Sequence, residues 1–160
     1  MNEISKPSPN FSSREGYKPD SIIIHDTEGQ FAGALSWLCD PASKVSAHVL
    51  INRAGEVYRL VPDEQKAWHA GASSLWGDSN INERSLGVEL EDTSDQDPYP
   101  QAQLDACVQW CAEKAKQYRI PLNRIVGHEH VAPKRKHDPG PDWDWFENLR
   151  AIGRKMDQLP

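Results

Sequence analysis

The sequence predicts an α/β fold, a single domain in which a central mixed β-sheet is flanked by helices. Three observations predict it. Short apolar runs of strand length alternate along the chain with stretches of helical period, the arrangement that packs helices onto a sheet. The 160 residues suit one domain with a sizeable core, and no internal repeat or low-complexity tract divides them. At 38% hydrophobic and 8% aromatic, the composition is that of a globular chain able to fill such a core.

Residues 1–20 carry Pro7, Pro9 and Pro19 and read as an extended N-terminal arm, with the domain proper spanning residues 21–160. SIIIHDT follows, in which Ile22 to Ile24 form a short β-branched run of buried-strand type ending at His25. A short helix is expected around Gly33–Cys39, stopped by Pro41. SAHVLINRAGEVYRLVP reads as a hairpin whose turn, Arg53-Ala54-Gly55, uses glycine for the positive φ. Residues 62–84 are expected to be a long polar loop containing AWHAG. In SLGVELE, Leu86, Val88 and Leu90 alternate with Glu89 and Glu91, a strand with one apolar face. From Pro100 to Tyr118, apolar residues recur at Leu104, Cys107, Val108, Cys111, Ala115 and Tyr118, a helix with one buried stripe. Arg124–Gly127 is a short strand, and Phe146, Leu149, Ile152 and Met156 mark a last helix.

Charge and composition exclude several classes. A net charge of −6 argues against a nucleic-acid binder with a broad basic surface and against adhesion to anionic membranes. No run approaches 18 apolar residues, so membrane insertion is not expected. The polar N-terminus lacks the apolar centre of a signal peptide, so the chain is expected to be cytoplasmic as synthesised. A monomer is expected. Cys39, Cys107 and Cys111 show no CxxC spacing and read as small apolar core residues.

Chemistry concentrates in GHEHVAPKRKHDPGP, residues 127–141, too polar for a core strand and too rigid for a tail. His25 and His128 each end a predicted strand, and Asp138 lies in the proline-bounded loop beyond. Two imidazoles and a carboxylate form a three-ligand set that leaves a fourth zinc position for water, in a surface cleft at strand ends. On spacing alone, solvent-exposed histidines on a basic loop are the favoured reading over a zinc site.

The stretches SIIIHDTEG, VSAHVLINRAGEVYRLVP, AWHAGAS, NERSLGVELE and GHEHVAPKRKHDPGPDWDW, in this order, cover roughly residues 21–146. Together they resemble the zinc-dependent type 2 N-acetylmuramoyl-L-alanine amidases, relatives of the peptidoglycan recognition proteins. The resemblance implies Zn2+ held by His25, His128 and Asp138, a catalytic carboxylate at Glu89 and a catalytic lysine at Lys136. Relatives without that glutamate use a tyrosine just before the histidine of the SAH-type motif. That position is Ala47 here, which places the chain with the glutamate-using branch. The implied roles are chemically coherent. Zinc lowers the pKa of water towards about 7 and polarises the amide carbonyl. Glu89 can move the proton, and Lys136 can face the oxyanion.

The remaining candidates divide. Trp68 and His69 of AWHAG are expected to line the substrate cleft, and Asn82 either bonds substrate or caps its loop. His48 is either an outer support of the metal centre or half-buried, and His130 and His137 read as surface residues. Glu91 reads as a solvated charge. Trp37, Trp76, Trp110, Trp143 and Trp145 read as core and loop packing. The expected function is hydrolysis of the bond between N-acetylmuramic acid and L-alanine in peptidoglycan, with peptidoglycan or muropeptide as partner. A non-catalytic muropeptide-binding module is the competing class, and the complete ligand set argues against it. A zinc hydrolase of other amides is the third. A wall-lytic endolysin acting after release is the preferred setting, although GVELEDT and AWHAG also resemble the cytosolic anhydro-muropeptide recycling enzyme.

Overall fold

The computed structural model of the protein describes residues 1–92 and 98–160; Thr93, the last residue of GVELEDT, lies outside them. Two short strands lie within residues 1–20: β1 (Ile4–Ser5) and β2 (Phe11–Ser13). Then come β3 (Ser21–Asp26), α1 (Phe31–Cys39), β4 (Val49–Ile51) and β5 (Val57–Arg59). β6 (Gln65–Ala67), α2 (Ile81–Arg84) and β7 (Ser85–Leu90) follow. After α3 (Gln101–Tyr118), a 3-10 turn at Leu122–Arg124 leads into β8 (Ile125–Gly127), α4 (His128–Val131) and α5 (Trp145–Gln158).

The main sheet has six strands in the order β1-β5-β4-β7-β3-β8, and β2 and β6 form a separate antiparallel pair. It is mixed: β3 runs parallel to β7 and β8, β7 parallel to β4, and β4 antiparallel to β5. The strand period of two divides its residues between two faces. Ile22 and Ile24 of β3, Leu86, Val88 and Leu90 of β7, and Val49 and Ile51 of β4 meet α3 and α5 in the largest core cluster. On the opposite face, Leu50 packs with Leu38, Ala34 and Leu35 of α1. The molecule is therefore a sheet between α1 and the α3–α5 pair, in keeping with the predicted α/β class.

Local chemistry explains the boundaries. Gly55 takes φ +82° in the hairpin turn, and a Cβ there would stand 2.5 Å from the Ala102 carbonyl oxygen. Asp144 caps α5 by accepting from the Glu147 N–H at 2.9 Å. α3 ends where Arg119 turns left-handed and Ile120 N–H returns to the Ala115 carbonyl.

Several expectations are corrected. Residues 62–84 are not one loop, because β6 pairs with β2 and α2 forms just before β7. Phe146 is 71% exposed, and Trp145 takes the inward position at the start of α5. Trp37 and Trp76 are 59% and 63% exposed, so neither packs in a core, whereas Trp110 and Trp143 are buried. Glu91 is no solvated charge: its Oε1 accepts from Phe31 N–H at the start of α1 and its Oε2 from Arg53 N–H, both at 2.9 Å. Cys107 and Cys111 are buried in α3, but Cys39 is only half-buried. Among the described residues, no helix is long and apolar enough to cross a membrane.

Candidate metal centre and cleft

The sheet register builds the site. His25 lies beside Glu89 across the β3–β7 pair, so both side chains leave the same face, away from α3 and α5. β8 runs along the other side of β3 and delivers His128 as the first residue of α4. The loop that follows is tied back to this point. Glu129 N–H donates to the Asp138 carbonyl at 3.0 Å, and Arg135 and Lys136 N–H both donate to the Ala132 carbonyl. Tyr99 hydroxyl donates to the Pro139 carbonyl at 2.8 Å. These bonds hold the backbone on either side of Asp138 in place.

His25, His128 and Asp138 converge, and all three are buried. His25 Nδ1 lies 3.0 Å from both His128 Nδ1 and Asp138 Oδ2, and His128 Nδ1 lies 3.1 Å from Asp138 Oδ2. A tetrahedral zinc with bonds of about 2.0–2.1 Å separates its ligand atoms by roughly 3.3 Å, close to this triangle. The second carboxylate oxygen, Asp138 Oδ1, is buried without a hydrogen-bond partner among the described residues. Two imidazole nitrogens and a carboxylate whose second oxygen is unsatisfied make a three-residue donor set that suits a zinc ion.

Burial sets the protonation of the surroundings. It pushes His25 down to about 4, with the neighbouring His128 adding to the effect, so the ring is neutral near pH 7. Burial also lowers His48, to about 3, and takes His69 well below the ordinary imidazole range. Carboxyls move the other way. Burial, reinforced by Asp138 and Asp26, holds Glu89 well above the usual carboxylate range, and its Oε2 is buried without a partner among the described residues. Asp26, which the motif reading did not single out, faces the same cleft and is raised by burial to about 7.

The cleft has a volume of about 570 Å³, and the three convergent residues, Glu89 and Lys136 all border it. Trp68, His69 and Asn82 line it as well, each with part of its side chain spent on the protein. Trp68 Nε1 donates to Ser12 Oγ, and Asn82 Oδ1 accepts from the N–H groups of His69 and Ala70 at 3.1 and 2.7 Å. Exposed Trp37, on α1, forms part of the rim; an amphipathic-helix reading that marked outward aromatic residues would have found it. His48 is fully buried and accepts from Gly87 N–H through Nδ1. His130 and His137 do not join the site. His130 Nδ1 accepts from Gly127 N–H at the start of α4, and His137 is exposed.

Comparison with known proteins extends this picture. The family described as N-acetylmuramoyl-L-alanine amidase matches residues 15–141. The 1,6-anhydro-N-acetylmuramyl-L-alanine amidase AmpD of Citrobacter freundii is 35% identical, with 91% of this chain and 87% of that protein aligned. The crystal structure of a selenomethionine derivative of AmpD superposes with a TM-score of 0.84 at 32% identity, covering 94% of this chain and 93% of that one. The N-acetylmuramyl-L-alanine amidase AmiD of E. coli, solved with anhydro-N-acetylmuramic acid-L-Ala-D-γ-Glu-L-Lys, gives 0.76 at 29% identity, covering 89% of this chain and 65% of that one.

Proposed function

The chain belongs to the N-acetylmuramoyl-L-alanine amidase family, and on that premise we propose that it is a zinc-dependent amidase, acting as a monomer, that cuts the bond between N-acetylmuramic acid and L-alanine in muropeptides. The observation that carries the reading is the triangle of His25 Nδ1, His128 Nδ1 and Asp138 Oδ2, bordered on the same cleft by Glu89. These three residues would hold the zinc. Bound there, the ion supplies Lewis acidity at the amide carbonyl and makes water acidic enough to react near neutral pH.

The chain's own groups do the rest. Glu89 stands beside His25 on the next strand, within the cleft and outside the ligand set. It takes the proton of the attacking water and returns it to the nitrogen of the departing L-alanine. Burial raises the Glu89 carboxyl above its ordinary range, which makes it a stronger proton acceptor once ionised. Lys136 borders the cleft two residues before Asp138, and its ammonium faces the oxygen on which negative charge develops. Trp68 and Trp37 offer aromatic surface to the sugar or the stem.

A wall-lytic endolysin is one setting for this reaction. Recycling of soluble anhydro-muropeptides is the second, favoured by the 35% identity to a relative named for a 1,6-anhydro substrate and aligned over 87% of its length. Mass spectrometry of products from soluble anhydro-muropeptide and from intact sacculi, run in parallel, tests reaction and setting together. A lactyl sugar and a free L-alanine amine are expected. New reducing sugar ends, or a new D-amino-acid carboxyl, would overturn the reaction. Turnover confined to one substrate assigns the setting.

A further inference from the structure

A neutral imidazole carries a single N–H, and only its other nitrogen can face a cation. Hydrogen bonds behind the two cleft imidazoles determine which nitrogen that is. Ser85 Oγ donates to the Ile81 carbonyl at 2.6 Å, so its only proton is committed. His69 Nε2 lies 3.1 Å from the same Oγ and must therefore be the donor there. That leaves His69 Nδ1 as an acceptor. His25 Nε2 stands 2.9 Å from it and supplies the proton. His25 Nδ1 is then bare, turned towards His128 Nδ1 and Asp138 Oδ2. On the other side, His128 Nε2 lies 3.1 Å from the Ala70 carbonyl, which can only accept, so its Nε2 proton is committed there and Nδ1 is the nitrogen turned to Asp138 Oδ2.

We propose that His69 is a positioning residue: read through Ser85, it fixes the proton of His25 on Nε2 and thereby presents a bare Nδ1 to the metal. The proposal rests on the zinc reading above. The dipeptide His69-Ala70 thus supplies the acceptors behind both imidazoles, one from a side chain and one from the backbone. Its placement is built into the fold. Asn82 Oδ1 accepts from both of its N–H groups, and Arg135 Nη2 donates to the Ala70 carbonyl at 2.7 Å. The ring itself fits over β7 only because residue 87 is glycine: a Cβ there would stand 2.6 Å from His69 Cγ. Nothing in the AWHAG motif alone distinguishes this role from contact with substrate.

Long-range 1H–15N correlation spectra of the metal-free and the Zn2+-titrated protein read the proton positions directly. His69 and His25 are both expected to carry the proton on Nε2 in each state; a proton on His69 Nδ1 would overturn the proposal. Zn2+ affinity, measured by competition with a chromophoric chelator, gives the second arm. His69→Ala is expected to weaken zinc binding on the order of 10- to 100-fold, the usual effect of losing such a partner. His69→Asn, whose side-chain oxygen returns an acceptor near the place of Nδ1, is expected to recover most of the loss, with near-UV circular dichroism confirming that both variants fold. His69→Ala binding within about twofold of wild type, or His69→Asn no better than His69→Ala, refutes it. If the unaltered protein takes up no zinc, the zinc reading fails instead, and the proton positions in the metal-free protein still decide the role of His69.

Discussion

Along β7, alternate residues live under different rules. Leu86, Val88 and Leu90 turn to α3 and α5, where they are fully buried among aliphatic and aromatic neighbours. Gly87 and Glu89 turn the other way, one making room for the His69 ring, the other placing a carboxyl in the cleft. β3 repeats the division, with Ile22 and Ile24 on the helical face and His25 on the cleft face. The helical face gains stability from every apolar atom it removes from water. The cleft face opposes stability: Glu89 Oε2 and Asp138 Oδ1 are buried without partners among the described residues, a cost of roughly 1–3 kcal/mol for each such group. A few residues apart on one strand, substitution should therefore remove either function or stability, seldom both.

The largest expected effect breaks the cleft face alone. Asp138→Ala or His128→Ala should reduce activity below detection and bound zinc from about one ion per chain to almost none. The denaturant midpoint of the metal-free protein should hold or rise for Asp138→Ala, since a buried unpaired oxygen is removed. Full zinc content by elemental analysis in either variant would end the assignment. Glu89→Gln comes next. Turnover should fall on the order of 10² to 10⁴ while zinc content and stability are kept. Loss of zinc in that variant would make Glu89 a ligand. Glu91→Gln sharpens the contrast, because Glu91 anchors Phe31 and Arg53 N–H groups: stability should drop by about 1 kcal/mol with little change in turnover.

On the helical face, Leu86→Ala should cost about 2–5 kcal/mol by denaturant titration and leave kcat of the folded enzyme near normal. A tenfold loss of kcat there would show that the faces are coupled. The last prediction concerns acid. Burial, with help from Arg14, pushes His48 down to about 3, whereas an unfolded histidine titrates near about 6.5. Between those values the unfolded chain binds the extra proton, so the stabilisation is complete above about 6.5 and is lost as pH falls towards 3. At pH 5 the expected loss is on the order of 2 kcal/mol relative to pH 7. His48→Gln should make that acid slope shallower by the share of one imidazole, leaving what His25 and His69 contribute; an unchanged slope would place the proton uptake elsewhere.

How far the sequence could be read depended on where each residue's partners lie along the chain. The strands SIIIHDT and SLGVELE were legible because period-two alternation is written in adjacent residues. β6 and α2 were not: Gln65-Lys66-Ala67 is polar because its sheet has only two strands, and four residues of helix are too few to show a period. Glu91 looked like Glu89 because they share a face. Only the tertiary structure brings the first turn of α1 and the hairpin turn to its carboxylate. The convergence of His25, His128 and Asp138 was expected from motif order. What stands behind the imidazoles, Ser85 Oγ and the Ala70 carbonyl, is a hydroxyl and a backbone oxygen that leave no trace in a residue pattern.

β8 pairs with β3 along one side and ends the sheet on the other, and both His128 and Asp138 depend on it, while His25 sits on an inner strand. A zinc ion held by these three residues would span the interior of the sheet and its margin. Its residence time would then follow the fraying of one short strand and the loop beyond it, not the melting of the whole domain. Native-state amide exchange reads this directly. Protection of Ile125–Gly127 should rise on adding Zn2+ while that of Ser85–Leu90 stays constant, and equal changes in both would mean that the metal leaves only when the entire sheet opens.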